Sequence, residues 1–196
     1  MFISTVGEDA AEGELAEYYR AQRSAWGFLP DYAAAFSTRP DVARAWNLLN
    51  STVRDSMDRR RFEIATIAAA RARRSTYCTA AHSTFLRDVV GDEEAMRAIA
   101  ESPDRPALSD EDRAVYDFAA KIGADAASVE QADVDRLRDA GLTDPEIADV
   151  AFAAAARCFF TAVLDGLGAQ LDPQTAETFE PALLESMVVG RPVGTR

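Results

Sequence analysis

The chain has 196 residues, of which 48% are hydrophobic and 28% charged, and its formal net charge is −12. A chain of this length and composition can bury a substantial core, which excludes a fibrous or disordered protein. The acidic balance leaves no basic surface for a phosphate backbone or an anionic lipid surface, so we expect neither nucleic acid nor a membrane as partner.

The N-terminus and the cysteines predict where the protein works. Residues 1–9 have neither the basic region nor the apolar region of a signal peptide, and no later segment is expected to span a bilayer. Cys78 and Cys158 lie far apart and neither belongs to a Cys-x-x-Cys pair, which is typical of a reducing compartment. We therefore expect a cytoplasmic protein with two free thiols.

The N-terminal third predicts three helices. Abundant Ala, Leu, Glu and Arg favour helix throughout, with no clear strand alternation. We expect a first helix over about residues 13–25, a turn at 26–30, and a second helix from near there. Pro40 suits the first position of a third helix. Its apolar stripe is expected to face the core: Val42, Ala45, Trp46, Leu49 and Val53.

The next two helices carry the candidate site residues. A fourth helix is expected from Arg59 to about Arg73, with Glu63 among apolar neighbours, where burial is expected to raise its pKa. Ser75 is a typical N-cap for a fifth helix that runs to about Val90, where Gly91 ends it.

The C-terminal half predicts further helices. A loop around Pro103 and Pro106 precedes a capping sequence at 109–112, and 143–146 caps a long apolar helix that reaches Leu164. Asp172 and the proline after it are expected to start the last helix. We predict an all-α bundle of about eight to ten helices, with one domain over 1–189. The tail 190–196 lacks core-forming residues and is expected to be mobile or to contact a neighbouring subunit.

Cys78 and His82 are the first candidates for a chemical site. They are four positions apart, so on a helix both side chains project from one face and can share a proton directly or through water. A thiol in the first turn of a helix also lies near unpaired N–H groups, which favour thiolate. His82 is the only histidine in the chain. The alternative is a small buried core thiol beside a chance histidine.

Other residues near this pair have weaker signals. One Cys and one His supply only half of a closed tetrahedral zinc site, so we expect no metal. Cys158 lies in an apolar helical context that favours a core thiol over a redox partner. Three aromatic residues can wall a cavity or fill the core: Trp26, Phe28 and Trp46. The arginine group is expected to be a solvated face or a subunit contact rather than an anion clamp: Arg59, Arg60, Arg61, Arg71, Arg73 and Arg74.

The spacing of Glu63, Ser75, Cys78 and His82, with Ala-rich helix between, resembles the signature of the carboxymuconolactone decarboxylase and AhpD-like alkylhydroperoxidase superfamily. It is most similar to the uncharacterised peroxidase-related branch. The likeness extends to residues 26–30 and 141–147. It implies an AhpD-like helical fold, no cofactor, and assembly as a trimer, hexamer or dimer.

The resemblance also implies roles for the site residues. Peroxidase members carry Glu followed by Cys-x-x-Cys-x-x-x-His, so Cys78 matches the peroxidatic cysteine, while His82 and Glu63 match the proton relay. Ser75 stands where the resolving cysteine belongs, and a hydroxyl cannot form the intramolecular disulfide. Ser75 then serves as an N-cap or as a hydrogen-bond donor to the thiolate, and Tyr77 lines the pocket, donates through its hydroxyl or packs at the helix start.

Three functions follow from these residues. The first is an antioxidant oxidoreductase that reduces alkyl or hydrogen peroxide at Cys78 and is recycled by an external thiol. The second is a cofactor-free lyase of the carboxymuconolactone decarboxylase type, for which His82 and Glu63 suffice. The third is a catalytically degenerate oligomeric scaffold or redox sensor. The sequence leaves open the substrate, the reductant, the role of Cys158 and the exact oligomeric state.

Overall fold

A computed structural model describes residues 1–102 and 107–195, so the predicted loop around Pro103 and Pro106 lies outside the described residues. Within the described ranges the chain forms eleven α-helices, nine of them seven residues or longer, and no strand, which confirms the all-α prediction. In chain order the helices are α1 Gly13–Trp26, α2 Asp31–Ala35, α3 Pro40–Asp55, α4 Arg59–Ala72, α5 Thr76–Phe85, α6 Glu93–Glu101, α7 Asp110–Asp125, α8 Gln131–Asp139, α9 Asp144–Leu167, α10 Pro173–Ala176 and α11 Pro181–Met187.

Helix α4 is the centre of the bundle and packs against α5, α7 and α9. Every residue from Phe62 to Ala70 is buried, so this helix is enclosed on all sides rather than on two adjoining faces. Alanines allow its neighbours to approach closely. A Cβ on Gly123 of α7 would lie 3.0 Å from the backbone of Ala69, so a larger residue there would push the two helices apart by a few tenths of an ångström.

Helix α5 begins directly after a tight turn, with Ser75 as its first flanking residue, and continues beyond Phe85 as a π-helical turn over Leu86–Val90. Gly91 ends it in the left-handed conformation, with φ 82°. The predicted end at Gly91 is therefore confirmed. Because α5 is short and buried on nearly all sides over Thr76–Ser83, its side chains are held firmly against α4.

Helix α9 corrects one sequence expectation. By length and composition alone, Asp144–Leu167 is apolar enough to cross a bilayer, so the expectation that no segment qualifies is wrong. The helix packs against α3, α4 and α7, as the core helix of a folded bundle does. No second helix among the described residues meets the same test of length and composition.

Several boundaries and burial predictions differ in the structure. In the stripe of α3, Trp46 and Val53 are buried but Ala45 and Leu49 are exposed, because the helix packs on α9 along a narrower line than the pattern suggests. The last helix is α11, not the one starting after Asp172, because Pro181 opens a further helix.

The tail contacts its own chain. Gly190 donates its N–H to Thr76 Oγ1 at 3.0 Å, and Gly194 donates to the Leu171 carbonyl at 2.9 Å. Arg191 donates to the Asp165 carbonyl at 2.6 Å. Residues 190–195 therefore close over the N-terminal end of α5 and the C-terminal part of α9; their contact with another subunit stays a prediction.

Candidate functional site

A cavity of about 600 Å³ opens between α1, α2, α3, α5 and α9. Cys78 and His82 both line it from α5, as their spacing predicts. Six of the other fifteen lining residues are aromatic: Trp26, Tyr32, Trp46, Tyr77, Phe85 and Phe160. Of the two alternatives left open for the aromatic residues, Trp26 and Trp46 line the cavity, and Trp46 is at the same time a buried core residue. Phe28 is not among the lining residues.

His82, Glu63 and Arg59 form a connected chain of hydrogen bonds behind the cavity wall. His82 Nδ1 lies 2.5 Å from Glu63 Oε2, and Arg59 donates Nε–H to Glu63 Oε1 at 2.6 Å. An ionised carboxylate only accepts hydrogen bonds, so the proton of a neutral imidazole lies on Nδ1. His82 Nε2 is then the unprotonated nitrogen, available as a proton acceptor.

The pKa of Glu63 corrects a sequence expectation. Glu63 is fully buried, and burial acts to raise its pKa. The attraction and the hydrogen bonds of His82 and Arg59 outweigh burial, so the pKa lies below its ordinary value. Glu63 is therefore a fixed carboxylate that orients the imidazole, not a proton carrier in the neutral range.

His82 is held neutral. Burial and repulsion by Arg157 lower the pKa of His82 to about 4, against the opposing attraction of Glu63. At neutral pH the imidazole can thus accept a proton, which a charged imidazolium cannot do.

Cys78 is 1% exposed, and its sulfur lies 3.8 Å from Arg157 Nη1. Burial raises the pKa of the thiol, and Arg157 and Ser75 oppose this only in part. The expectation that the helix N-terminus favours thiolate is therefore wrong for the resting thiol. Burial disfavours the charged thiolate more strongly than its surroundings at the helix N-terminus favour it. No hydrogen bond joins the thiol to His82 among the described residues.

Ser75 and Tyr77 flank the thiol in different ways. Ser75 occupies the N-cap position, but its side chain makes no capping hydrogen bond and its buried Oγ has no partner of ordinary geometry. Tyr77 lines the cavity with its ring, and its hydroxyl donates to Asp172 Oδ2. Tyr77 therefore contributes an apolar surface, with its polar end already occupied.

Cys158 and the arginine group do not line the cavity, but one of the arginines contacts a site residue behind its wall. Cys158 is half-buried rather than core, and it is not among the lining residues. Arg60 and Arg61 form ion pairs with four carboxylates, so they tie helices together instead of forming a solvated face: Asp92, Asp112, Glu111 and Glu146. Arg59 is the exception, because it holds Glu63.

Sequence reasoning missed Arg157. It is 4% exposed, lines the cavity, contacts Cys78 and donates from Nη2 to Asn50 Oδ1 at 3.3 Å. Its guanidinium lies 5.5 Å from the Trp46 ring centre and 5.3 Å from that of Phe160. A signal existed in the sequence: Arg157 is the one charged residue between Val150 and Leu164, inside an apolar helix. In the described part of the chain no group of three metal-binding side chains comes together.

A family model matches the part of the chain that carries these residues. Residues 40–121, which include Glu63, Cys78 and His82, match the model of the carboxymuconolactone decarboxylase family. No curated protein sequence matches the chain significantly.

Solved structures share the fold at low identity. An uncharacterised peroxidase-related protein with an alkylhydroperoxidase AhpD core, from Ralstonia eutropha JMP134, is 20% identical, with a TM-score of 0.77 and 97% of each chain covered. A peroxidase-related protein from Silicibacter sp. TM1040 is 18% identical, with a TM-score of 0.74 and coverage of 89% of this chain and 91% of the other.

A third structure, a cysteine-to-alanine variant of the debrominase Bmp8 in complex with 2,3,4-tribromopyrrole, is 16% identical. Its TM-score is 0.75, with 95% of this chain and 97% of the other covered. The fold therefore houses more than one chemistry. The resemblance seen in the sequence is confirmed: residues 40–121, which include Glu63, Cys78 and His82, match the model of the carboxymuconolactone decarboxylase family, and the fold is similar to that of a solved structure with an AhpD core.

Proposed function

We propose that this protein is a thiol-dependent oxidoreductase that reduces a hydroperoxide at Cys78. The observation that carries the proposal is the cavity itself: a nucleophilic sulfur, a neutral imidazole oriented by a buried carboxylate, and a guanidinium at the sulfur all meet in a pocket of substrate size. A proton acceptor and a cation beside a thiol both favour the thiolate, which is the nucleophile that attacks a peroxide.

Each of these groups has its own part in the proposed reaction. The thiol of Cys78 gives its proton to Nε2 of His82 through cavity water, and Arg157 stabilises the thiolate that remains. The sulfur attacks the distal oxygen of the hydroperoxide; the S–O bond forms, the O–O bond breaks, and the proton from His82 goes to the leaving alkoxide. Cys78 becomes a sulfenic acid and the peroxide becomes an alcohol.

Recycling requires an external thiol. Ser75 cannot form a disulfide, and Cys158 does not line the cavity. One small thiol attacks the sulfenic sulfur and releases water, and a second reduces the mixed disulfide. The cavity is open to solvent along α3, where Asn47, Ser51 and Arg54 line it, so a small thiol can reach the sulfur.

The test is steady-state reduction of cumene hydroperoxide with a small thiol as electron donor. We expect turnover above that of free cysteine in the unaltered protein, loss of turnover in Cys78→Ser, and retention within about twofold in the matched control Cys158→Ser. No turnover in the unaltered protein would contradict the proposal. Lactone decarboxylation that survives Cys78→Ser but not His82→Ala would favour the lyase instead.

Assembly and location remain part of the proposal. An oligomer and a cytoplasmic site are what the resemblance and the cysteine usage imply. A row of exposed apolar side chains on α3 and α9 supports subunit contact: Leu48, Leu49, Phe152 and Phe159. Light scattering of the purified protein, compared with a Phe152→Glu variant, tests it; a monomer in both would contradict it.

A further inference from the structure

The cavity is the positively charged part of an acidic chain. The charged residues that line it are three arginines, Arg44, Arg54 and Arg157, and no aspartate, glutamate or lysine lines it. The chain as a whole has a net charge of −12. A cavity wall of this sign selects an anionic ligand over a cationic one and raises its local concentration.

The three arginines are not equivalent. Arg44 lies 2.8 Å from Glu14, and Arg54 lies 2.8 Å from Asp55, so the two arginines at the mouth are neutralised by surface carboxylates. Arg157 lies in the interior and forms no ion pair with any carboxylate of the described residues. A buried charge without a counterion costs free energy, and an anionic ligand would recover it.

The hydrogen bonds of Arg157 are also incomplete. Nη1 contacts a neutral thiol, which is a weak acceptor, and Nη2 donates to Asn50 Oδ1 at 3.3 Å. Nε is buried and has no hydrogen-bond partner. A guanidinium has five N–H donors in a planar fork that matches the two oxygens of a carboxylate.

The rest of the wall combines ring faces with a few polar side chains, among them Gln22, Asn47 and Ser51. The Tyr32 hydroxyl donates a hydrogen bond to Gln22 Oε1 and accepts one from the indole N–H of Trp26. The Tyr77 hydroxyl donates a hydrogen bond to Asp172 Oδ2. The polar ends of these aromatic side chains are therefore occupied within the protein. Trp46 and Phe160 stack on each other beside Arg157, with ring centres 4.7 Å apart and planes at 14°. Aromatic ring faces therefore lie beside the one lining arginine that forms no ion pair among the described residues.

We propose that the cavity binds a small aromatic organic anion, its carboxylate held by Arg157 and its ring lying against the aromatic wall. This assignment rests on the proposed function, because it names the substrate class of the same cavity. The substrate is then an aromatic compound with an acid group and, in addition, the group that reacts at Cys78.

Tryptophan fluorescence measures this binding directly, because Trp26 and Trp46 are the two tryptophans of the chain and both line the cavity. The experiment uses the Cys78→Ser protein, so that binding is measured without chemistry, with benzoate as the anionic probe and benzamide as its neutral counterpart. We expect saturable quenching by benzoate at a concentration about tenfold below that for benzamide.

Two variants locate the effect. Arg157→Gln should remove the preference for benzoate, whereas Arg20→Gln, which changes an exposed arginine outside the cavity, should keep it. Equal affinity for the two probes, no saturable binding of either, or a preference that survives Arg157→Gln would overturn the proposal. Should Arg157→Gln fail to fold, the comparison of probes on the Cys78→Ser protein decides alone. A protein that binds benzoate selectively but reduces no hydroperoxide would refute the proposed function and leave this assignment standing.

A covalent probe gives an independent measurement. In the Cys158→Ser protein, the sulfur of Cys78 forms an S–C bond with iodoacetate or iodoacetamide as iodide leaves. We expect the rate ratio of iodoacetate to iodoacetamide to exceed that of free cysteine by about tenfold, because Arg157 attracts the carboxylate. A ratio equal to that of free cysteine would overturn the assignment.

Discussion

The two cysteines of this chain lie in opposite surroundings although both are near Arg157. Cys78 is almost completely buried, contacts the guanidinium and shares a cavity with His82. Cys158 is the next residue along α9 from Arg157, yet it turns away from the cavity, half-buried. Burial raises the pKa of both thiols. The difference in reactivity that we propose for the two thiols therefore rests on the partners of Cys78, which are the guanidinium of Arg157 and the imidazole of His82.

The largest expected effect comes from removing the proton acceptor beside only one of the two thiols. His82→Asn places an amide near Nδ1, which can still donate to Glu63, but it removes Nε2. We expect the reaction of Cys78 with cumene hydroperoxide to slow by about a hundredfold, the typical contribution of general acid–base catalysis. Single-turnover oxidation of the Cys158→Ser protein, with and without His82→Asn, measures it. An unchanged rate would show that the imidazole takes no part.

A second prediction concerns how the free energy of unfolding changes with pH because of His82. In the unfolded chain His82 binds a proton below about pH 6.5, whereas in the folded chain it does so only below about pH 4. The unfolded state therefore binds more protons between these values, and stability falls as the pH falls through this window, by about 3 kcal/mol in total.

Urea unfolding at pH 7 and pH 4 measures this loss. The matched comparison is His82→Asn, which has no titrating group at this position, so its loss over the same window should be smaller by about 3 kcal/mol. Glu63 contributes separately: its lowered pKa adds stability above its unfolded value, which is lost only as the pH falls through its folded value. Identical pH profiles of the two proteins would contradict the neutral imidazole.

The fold and the centre of the site were predictable because both depend on local patterns. Helical periodicity, Pro40 and Gly91 predict helix positions, and a four-residue spacing on one helix brings Cys78 and His82 to one face. Glu63 follows from the family pattern. These features need only the sequence neighbours of each residue.

What the sequence could not predict depends on contacts between distant segments. Arg157 reaches Cys78 only because α9 packs beside α5, and this contact joins residues far apart in the chain. The direction of the Glu63 pKa shift depends on Arg59 and His82 outweighing burial, a balance that no single pattern reveals. The exposed Leu49 likewise reflects the line along which α3 packs.

A third, smaller effect tests the cation beside Cys78. Arg157→Gln removes the attraction that opposes burial at this thiol, so the pKa of Cys78 should rise further. The rate of alkylation by iodoacetamide near neutral pH should fall by about tenfold at Cys78, with a smaller change at Cys158. Peptide mass spectrometry follows both sites in one sample. An equal fall in the alkylation rate at both thiols would contradict a specific effect of Arg157 on Cys78.

The smallest expected effect comes from restoring the missing cysteine. Ser75→Cys exchanges a buried hydroxyl without a partner for a thiol of similar size, and it recreates the Cys-x-x-Cys spacing with Cys78. We expect the oxidised variant to form an internal disulfide and to turn over a few times faster with a dithiol than with a monothiol. A variant in which Cys78 stays a stable sulfenic acid would show that the two side chains do not meet.

The most direct test of the central claim is the order in which the two thiols oxidise. The unaltered protein is treated with a stoichiometric amount of cumene hydroperoxide, trapped with a sulfenic-acid reagent and digested, and the label at each cysteine is followed over time by mass spectrometry. We predict that one oxygen is added at Cys78 well before Cys158 is modified. Equal rates at the two cysteines, or faster labelling of Cys158, would contradict the account.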